Sequence, residues 1–370
     1  MHVLHVVGAR PNFMKAAPVL RALSAHSGVQ QTLVHTGQHY DAAMSDIFFR
    51  QLEMPQPDCN LGVGSGTHAQ QTAAVMAAIE PVLLDSKPDI VLVYGDVNST
   101  VAAALVSSKL GIRIGHVEAG LRSRDRTMPE EINRLVTDQL SDLLFTPSAD
   151  GDENLLREGI DAAKIHRVGN VMIDTLVHQL PHSEREFPHA NDPPYALITL
   201  HRPSNVDDLG WLRELLATLQ ELSSQLRLIF PVHPRTRQRL ETLGLSSASP
   251  RLHLTEPVSY REFLSLQRHA SFVITDSGGV QEETSILGVP CLTIRENTER
   301  PITVTLGTNQ LLGRDIAKLR MAAKKILEER AEKKITENGL ELKVSATALR
   351  PIPLWDGHAA ERIAHVLLRT

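Results

Sequence analysis

Cysteine is almost missing from this chain: Cys59 and Cys291 are the only two among 370 residues. A pair so far apart supports neither a disulfide framework nor a cysteine-rich zinc site. No apolar run approaches the ~20 residues that cross a bilayer as a helix. An excess of basic charge is also absent, since the net charge is -5, and this argues against a nucleic-acid partner. The Walker pattern Gly-x-x-x-x-Gly-Lys-Ser/Thr does not occur. The glycine-rich stretch "LGVGSGTHAQQT" (61–72) follows no clear strand and lacks Gly-x-Gly-x-x-Gly spacing. Thr67-x-x-Gln70 reads there as a capping box, so a redox dinucleotide loses its best support. From Met1 the chain enters a strand directly, without the basic region, apolar core and cleavage site of a leader, and a cytoplasmic protein is expected.

What the chain does have is alternation. Short apolar, β-branched runs at 3–7, 32–35, 90–94, 112–117 and 143–146 are each followed by a longer helical pattern. After the proline- and charge-rich "PHSEREFPHANDPPY" (181–195), read as an inter-domain connection, the pattern restarts at 196–200, 226–232, 252–255, 272–275 and 291–294. These runs are apolar on consecutive positions, as expected of strands covered on both faces of a parallel sheet. Two doubly wound α/β domains in tandem are therefore expected. Residues 316–335 read as a charged amphipathic helix, 336–353 as irregular, and "WDGHAAERIAHVLLRT" as a closing helix.

Chemistry is expected where strands end. The first strand runs into "GARPNFMK", whose Arg10 and Lys15 put two cations near a helix start, a setting suited to a diphosphate, although either alone is more simply a surface charge. The third domain-one strand ends in "VYGDVNST", where Asp96 is equally readable as a functional carboxylate or a helix N-cap. In "GHVEAGLRSRDRTMPEEINR" (115–134), Glu118 leaves an apolar strand where a carboxylate has no structural reason to be. Thr127-x-x-Glu130 fits a capping box, and Glu131 lies three residues before Arg134. Paired carboxylates at a strand end and a helix start suit proton transfer, against the simpler reading as ion-pair partners of Arg122, Arg124 and Arg126. His201-Arg202 and His233 follow strands of the second half, and neither histidine has a partner at metal-ligand spacing, so no metal is expected. In "TDSGGVQEE" (275–283), Ser277, Gly278 and Gly279 open a helix that could hold a phosphate. Glu283, one turn on, could take ribose hydroxyls, and Glu282 need do no more than favour the helix dipole.

Taken in order, "GARPNFMK", "TGQHYD", "GDVNST", "GHVEAGLR", "MPEEINR", "PVHP", "TDSGGVQEE" and "ERPITVTLGTN" resemble the bacterial non-hydrolysing UDP-N-acetylglucosamine 2-epimerases. The resemblance runs from Met1 to about Asn309 and resumes at "WDGHAAERI". It implies a glycosyltransferase-B arrangement: two Rossmann-like doubly wound parallel-sheet domains facing a cleft, with the last helix returning to the first. The expected domains are 1–172 with 357–370, carrying the acid/base carboxylates, and 173–356, binding UDP. The implied activity interconverts UDP-N-acetylglucosamine and UDP-N-acetylmannosamine through 2-acetamidoglucal, with no cofactor, in a homodimer that binds neither nucleic acid nor membrane and feeds cell-surface polysaccharide synthesis. By the same resemblance Asp96, Glu118, Glu131 and His201 would be catalytic, and Arg10, Lys15, His233, Ser277, Gly278, Gly279 and Glu283 would hold UDP. Arg134 and Arg202 would support them, and Gln38 and His39 would mark a second UDP-sugar site found in some members. The neighbouring readings are a 2-epimerase of UDP-diacetamido-glucuronic acid, a hydrolysing epimerase, a retaining glycosyltransferase and a catalytically silent nucleotide-sugar sensor.

Overall fold

The computed structural model describes residues 1–38, 49–244, 251–337 and 351–370, without the side chains of 331–337. It divides into two compact units, Met1–His178 with Pro353–Thr370, and Gln179–Ile352.

The first unit is built on a seven-stranded sheet, all parallel, in the order β3-β2-β1-β4-β5-β6-β7. Its strands are β1 (His2–Val7), β2 (Gln30–His35), β3 (Cys59–Asn60), β4 (Ile90–Tyr94), β5 (Arg113–Val117), β6 (Leu143–Thr146) and β7 (Ile165–Arg167). The helices between them are α1 (Arg10–Ser24), α2 (His68–Ser86), α3 (Asn98–Lys109), α4 (Pro129–Leu140), α5 (Ala149–Arg157) and α6 (Val171–Glu186). Every residue of β4 is buried, which explains its unbroken apolar run. Leu4, Val6, Val91 and Val93 pack against Ile79 and Leu83 of α2 and Ala103 and Val106 of α3. Each valine, leucine or isoleucine among them contributes about 1.5–3 kcal/mol on burial. The two edge strands, β3 and β7, escape the sequence pattern because they are two and three residues long and half exposed.

The second unit repeats the plan with six parallel strands in the order β10-β9-β8-β11-β12-β13. These are β8 (Tyr195–Thr199), β9 (Arg227–Pro231), β10 (Leu252–Thr255), β11 (Val273–Thr275), β12 (Cys291–Thr293) and β13 (Asn309–Leu311). Its helices are α7 (Pro203–Val206), α8 (Leu209–Ser223), α9 (Pro234–Thr242), α10 (Tyr260–His269), α11 (Gly278–Leu287), α12 (Ile302–Thr305) and α13 (Ile316–Glu337). Its core joins Ile198, Phe230 and Ile274 of the sheet to Leu215 and Leu219 of α8 and Ala323 of α13.

Two local expectations need correction. The stretch 181–195 is not all connection, because α6 continues to Glu186 with Pro181 inside it, and the division between units falls at 178/179 within that helix. The Thr127-x-x-Glu130 box does not form: α4 starts at Pro129, Met128 is its N-cap, and Thr127 bonds instead to Asp125. The closing helix α14 (Ala359–Leu367) belongs to the first unit and is capped from a distance. Asp174 of α6 accepts from Ala359 N (3.1 Å) and Ala360 N (2.7 Å), and Trp355 Nε1 donates to Pro147 O (2.9 Å). Of the expected irregular stretch, 338–350 lies outside the described residues, as does His39. Among the described residues no helix is long and apolar enough to cross a membrane.

Candidate active site

In both sheets the strand order turns back once, between β1 and β4 and between β8 and β11. Ligands of open parallel sheets collect beyond the carboxyl ends of the strands at such points. Arg10, Lys15 and Asp96 follow β1 and β4, while His201, Arg202, Ser277 and Gly278 follow β8 and β11.

In the first unit, Asn12 ties the two central strand ends together. Its Oδ1 accepts from Gly8 N and Ala9 N, and its Nδ2 donates to Tyr94 O at 2.6 Å. Arg10 opens α1 on the exposed side. Lys15, one turn further, is buried, and its Nζ meets Glu118 Oε1 at 2.9 Å. The space for that ammonium exists because residue 95 is glycine: a Cβ there would lie 2.5 Å from Lys15 Nζ, and φ is +61°. Glu118 itself adopts φ +74°, a left-handed conformation that costs a non-glycine residue about 1–3 kcal/mol and clusters at functional sites. Such strain persists where neighbours over-determine it, and here Glu118 N and Ala119 N both donate to Phe145 O.

Asp96 is not the N-cap of α3, which begins at Asn98 after Val97 with no side-chain cap. Its carboxylate takes Arg134 Nη2 at 2.6 Å and keeps 27% of its side-chain surface. The other arm of the same guanidinium, Nη1, reaches Glu131 Oε2 at 2.7 Å. Glu131 also accepts from Ser123 N, Ser123 Oγ and Arg124 N, each at 2.9 Å. Four donors thus saturate a fully buried carboxylate, whereas Asp96 remains partly open. The arginines that could have claimed these carboxylates point elsewhere. Arg122 forks onto Glu158 and reaches Asp138, and Arg124 Nη2 donates to Asn154.

Beneath this cluster lies His116, wholly buried. Its Nδ1 contacts Asp138 at 2.6 Å and its Nε2 contacts Gly95 O at 2.8 Å. Burial alone would raise the Asp138 pKa, but His116 and Arg122 outweigh it and hold the carboxyl below its usual range. The imidazole links the residue before Asp96 to α4, the helix of Glu131 and Arg134. Beside Asp96 opens a pocket of about 350 Å³ lined by Gln38, His68, Gln71, Asn98 and Asn133 among others. Gln38 Oε1 accepts from Ser99 N and Oγ, fixing the start of α3. A wider hollow of about 820 Å³ between β7 and α14 is lined by Arg167 and Arg362, already paired with Asp152 and Asp356.

In the second unit, Asp276 organises the switch point. It accepts from Arg202 N (2.9 Å) and Asn205 Nδ2 (3.1 Å), and pairs with His201 Nδ1 at 2.9 Å. His233 is the N-cap of α9, its Nδ1 accepting from Arg235 N at 3.3 Å, and its ring lies 6.1 Å from that of His201. Ser277 is the N-cap of α11 without a side-chain cap bond. A Cβ at Gly278 would come within 2.6 Å of Arg300 Nη1, so glycine lets a cation stand against the helix start. Arg300 Nε donates to Glu282 Oε1 at 2.6 Å, which corrects the reading of Glu282 as a dipole ornament: it is a buried ion-pair partner. Glu283 is also buried, with Tyr260 OH donating to it at 3.0 Å. Glu299 sits among Arg295 (2.6 Å), Arg300 (3.4 Å) and Arg202 (3.6 Å). Burial would raise its pKa, yet these guanidiniums drive it far below the carboxylate range. Burial and the neighbouring Arg295 lower that of Arg202. Arg202, Arg295 and Arg300 thus bring guanidinium donors to the start of α11, the kind of group that binds an anion, within a set of charges that also holds Asp276, Glu282, Glu283 and Glu299.

A family model described as UDP-N-acetylglucosamine 2-epimerase matches residues 21–368. The chain belongs to the UDP-N-acetylglucosamine 2-epimerase family. It is 42% identical over 374 residues to a UDP-N-acetylglucosamine 2-epimerase of Methanocaldococcus jannaschii, covering 98% of this chain and 97% of that protein. It is 45% identical over 316 residues to a UDP-2,3-diacetamido-2,3-dideoxy-D-glucuronate 2-epimerase of Pseudomonas aeruginosa, covering 85% and 88%. Among solved structures it is similar to a Methanocaldococcus jannaschii UDP-GlcNAc 2-epimerase in complex with UDP-GlcNAc and UDP, with a TM-score of 0.88, 41% identity and full coverage of both chains. Its fold class is thus that of this epimerase family, two parallel-sheet α/β domains of the glycosyltransferase-B type.

Most of the site residues that carry no local sign in the sequence have distant partners. Asn12 bonds across two strand ends, His116 reaches Asp138 on α4, and Arg300 reaches Glu282 on α11, while Arg295 and Glu299 pair within one loop. Glu299 and Arg300 begin the quoted "ERPITVTLGTN", so the signal was present without its chemistry. Asp276 stands inside "TDSGGVQEE", next to the serine that drew attention.

Proposed function

We propose that this protein is a non-hydrolysing UDP-N-acetylglucosamine 2-epimerase, interconverting the gluco and manno UDP-sugars. The observation that carries the reading is the pair of carboxylates at the first unit's switch point: Glu118, strained and joined to Lys15, and Asp96, half-open and held by Arg134. One takes the C2 proton while the C1–O bond to the β-phosphate breaks, its electron pair leaving with UDP, and C1=C2 closes as 2-acetamidoglucal. Protonation of C2 on the other face and return of a UDP oxygen to C1 give the epimer. The C2 proton has little acidity of its own, so departure of the diphosphate must assist its removal.

Asp96 and Glu118 are the proton-handling pair, and Glu131, saturated with donors, acts on Asp96 through Arg134. In the second unit Ser277, Gly278 and Gly279, the arginine group and His201 and His233 serve the diphosphate, and in the first unit Arg10 is a candidate for holding UDP. Glu283 serves the ribose. Lys15 acts chiefly as the partner of Glu118. The elimination and re-addition proposed here need no cofactor. The protein works in the cytoplasm as a homodimer, the assembly usual for the family it resembles, and supplies polysaccharide synthesis.

The test is incubation with UDP-N-acetylglucosamine in D₂O, followed by NMR. Deuterium at C2 and a mixture of two UDP-sugars are expected. Free sugar as the main product would make the enzyme hydrolytic, and UDP binding without exchange would make it a sensor. A second reading, a 2-epimerase of UDP-diacetamido-glucuronic acid, is favoured by the 45% identity to the Pseudomonas relative of that name. Faster exchange on that sugar would select it.

A further inference from the structure

Gly95, which carries the chain from the end of β4 to Asp96, is held at both of its backbone groups by β5. Its N–H donates to Val117 O at 3.0 Å, and its carbonyl oxygen meets Nε2 of the buried His116 at 2.8 Å. The other ring nitrogen, Nδ1, meets Asp138 Oδ1 at 2.6 Å. A carbonyl oxygen can only accept, and so can an ionised carboxylate. Burial works against the ionised form of Asp138, but His116 and Arg122 outweigh it. Both ring nitrogens therefore face acceptors, and a neutral imidazole, with one N–H, would satisfy only one of them. The ring is wholly buried, so the other acceptor would have no water to turn to, at a cost of about 1–3 kcal/mol. Charges close to the ring come from both sides. Arg122 Nη1 stands on the second oxygen of Asp138 at 2.7 Å and is answered by Glu158, while Lys15 of α1 lies against Gly95 and is answered by Glu118.

We infer that His116 is a positioning residue, held as an imidazolium, whose two N–H groups fix the backbone on which Asp96 and Glu118 are mounted. The inference rests on the reading of those two carboxylates as the proton-handling pair. Through Nε2 the ring sets the Gly95 carbonyl, and with it the direction in which Asp96 leaves β4. Through Nδ1 it holds Asp138, whose Oδ2 accepts from Gly120 N at 3.2 Å, two residues beyond the strained Glu118. Helix α4 completes the frame: its Asn133 Nδ2 donates to Asp96 O at 2.9 Å, and its Arg134 Nη2 to the Asp96 carboxylate at 2.6 Å. Asn133, Arg134 and Asp138 share that helix, so one buried ring sets its register against both strand ends. Taking a proton from C2 needs a carboxylate within hydrogen-bond reach, and a displacement of about 1 Å costs about 100-fold. His116 itself exchanges no proton with the substrate.

The experiment uses the full chain. Neutron diffraction from crystals of the perdeuterated wild type, at the pH of the exchange assay, should show deuterium on both Nδ1 and Nε2 of His116. Two variants then separate the two bonds. His116→Gln puts an amide N–H where Nε2–H stood and keeps the bond to Gly95 O, whereas His116→Asn puts one where Nδ1–H stood and keeps only the bond to Asp138. His116→Asn should lower kcat for C2 exchange by about 100-fold and His116→Gln by about tenfold or less, with the UDP Kd of both within about threefold. Deuterium on one ring nitrogen alone would overturn the inference, and this measurement stands even if neither variant folds. Equal losses in the two variants would overturn it as well, as would losses matched by weaker UDP binding. Failure of the wild type to exchange deuterium on either UDP-sugar would instead sink the functional reading, and the positioning role with it, while the hydrogens found on the ring would stand.

Discussion

Lys15 and Glu118 meet at 2.9 Å in a buried site, one on the first helix and the other on a strained strand end more than a hundred residues later. Glu118→Gln should abolish C2 deuterium exchange, by about 10³-fold or more, while UDP binding changes little. Retained exchange would remove Glu118 from the chemistry. Lys15→Met leaves a buried carboxylate without its ammonium and should cost about 3–5 kcal/mol of stability. The double variant Lys15→Met/Glu118→Gln should regain part of that loss in urea titrations, which measures the pair directly.

Gly95 is required by the same ion pair. Gly95→Ala puts a Cβ 2.5 Å from Lys15 Nζ and forces a side chain into φ +61°. We expect a loss of about 1–3 kcal/mol in stability and a fall in exchange far larger than any fall in UDP affinity.

Glu131 offers a sharper distinction. If it acts through Arg134, Glu131→Gln should slow exchange by about 10–100-fold without abolishing it, because Asp96 and Glu118 remain. Arg134→Met should reproduce that loss, and the two changes together should be less than additive. A Glu131 variant as inactive as Glu118→Gln would place Glu131 at the substrate itself.

The Asp174 carboxyl, buried under the start of α14, is raised by that burial from 3.8 to about 6 despite its bonds to Ala359 N and Ala360 N. A group raised in the folded state lends its full stability below its unfolded value and loses it as pH climbs through the folded one. The wild type therefore carries a penalty on the order of 3 kcal/mol at neutral pH. Asp174→Asn does not titrate, so its Tm relative to the wild type should rise between pH 4 and pH 8. A difference that stays flat with pH would refute the assignment.

Legibility followed chain distance and chain length. Ten strands announce themselves as apolar runs, most clearly the central ones such as β4, where burial on both faces leaves only apolar residues, whereas Cys59–Asn60 and Asn309–Leu311 carry no such run. Asp96, Glu118 and Ser277 could be chosen from sequence because an unneeded polar residue at a strand end is visible locally. That Asp96 pairs with a guanidinium and does not cap α3 depends on Arg134, thirty-eight residues away. The Thr127 box failed for a local reason, since Pro129, lacking an N–H, took the first helical position. Glu282 was misjudged because Arg300, its partner, arrives from a different loop.

The capping of α14 by Asp174 has a consequence for biogenesis. Residues 179–352 are one continuous stretch that begins in the last turns of α6 and ends before α14, so the second unit leaves the ribosome contiguous and able to fold at once. The first unit must meanwhile wait with its Asp174 and Pro147 acceptors uncovered until the final helix emerges. A pause or truncation just before Trp355 would therefore expose the earlier-made half of the enzyme, not the later-made one, to proteolysis.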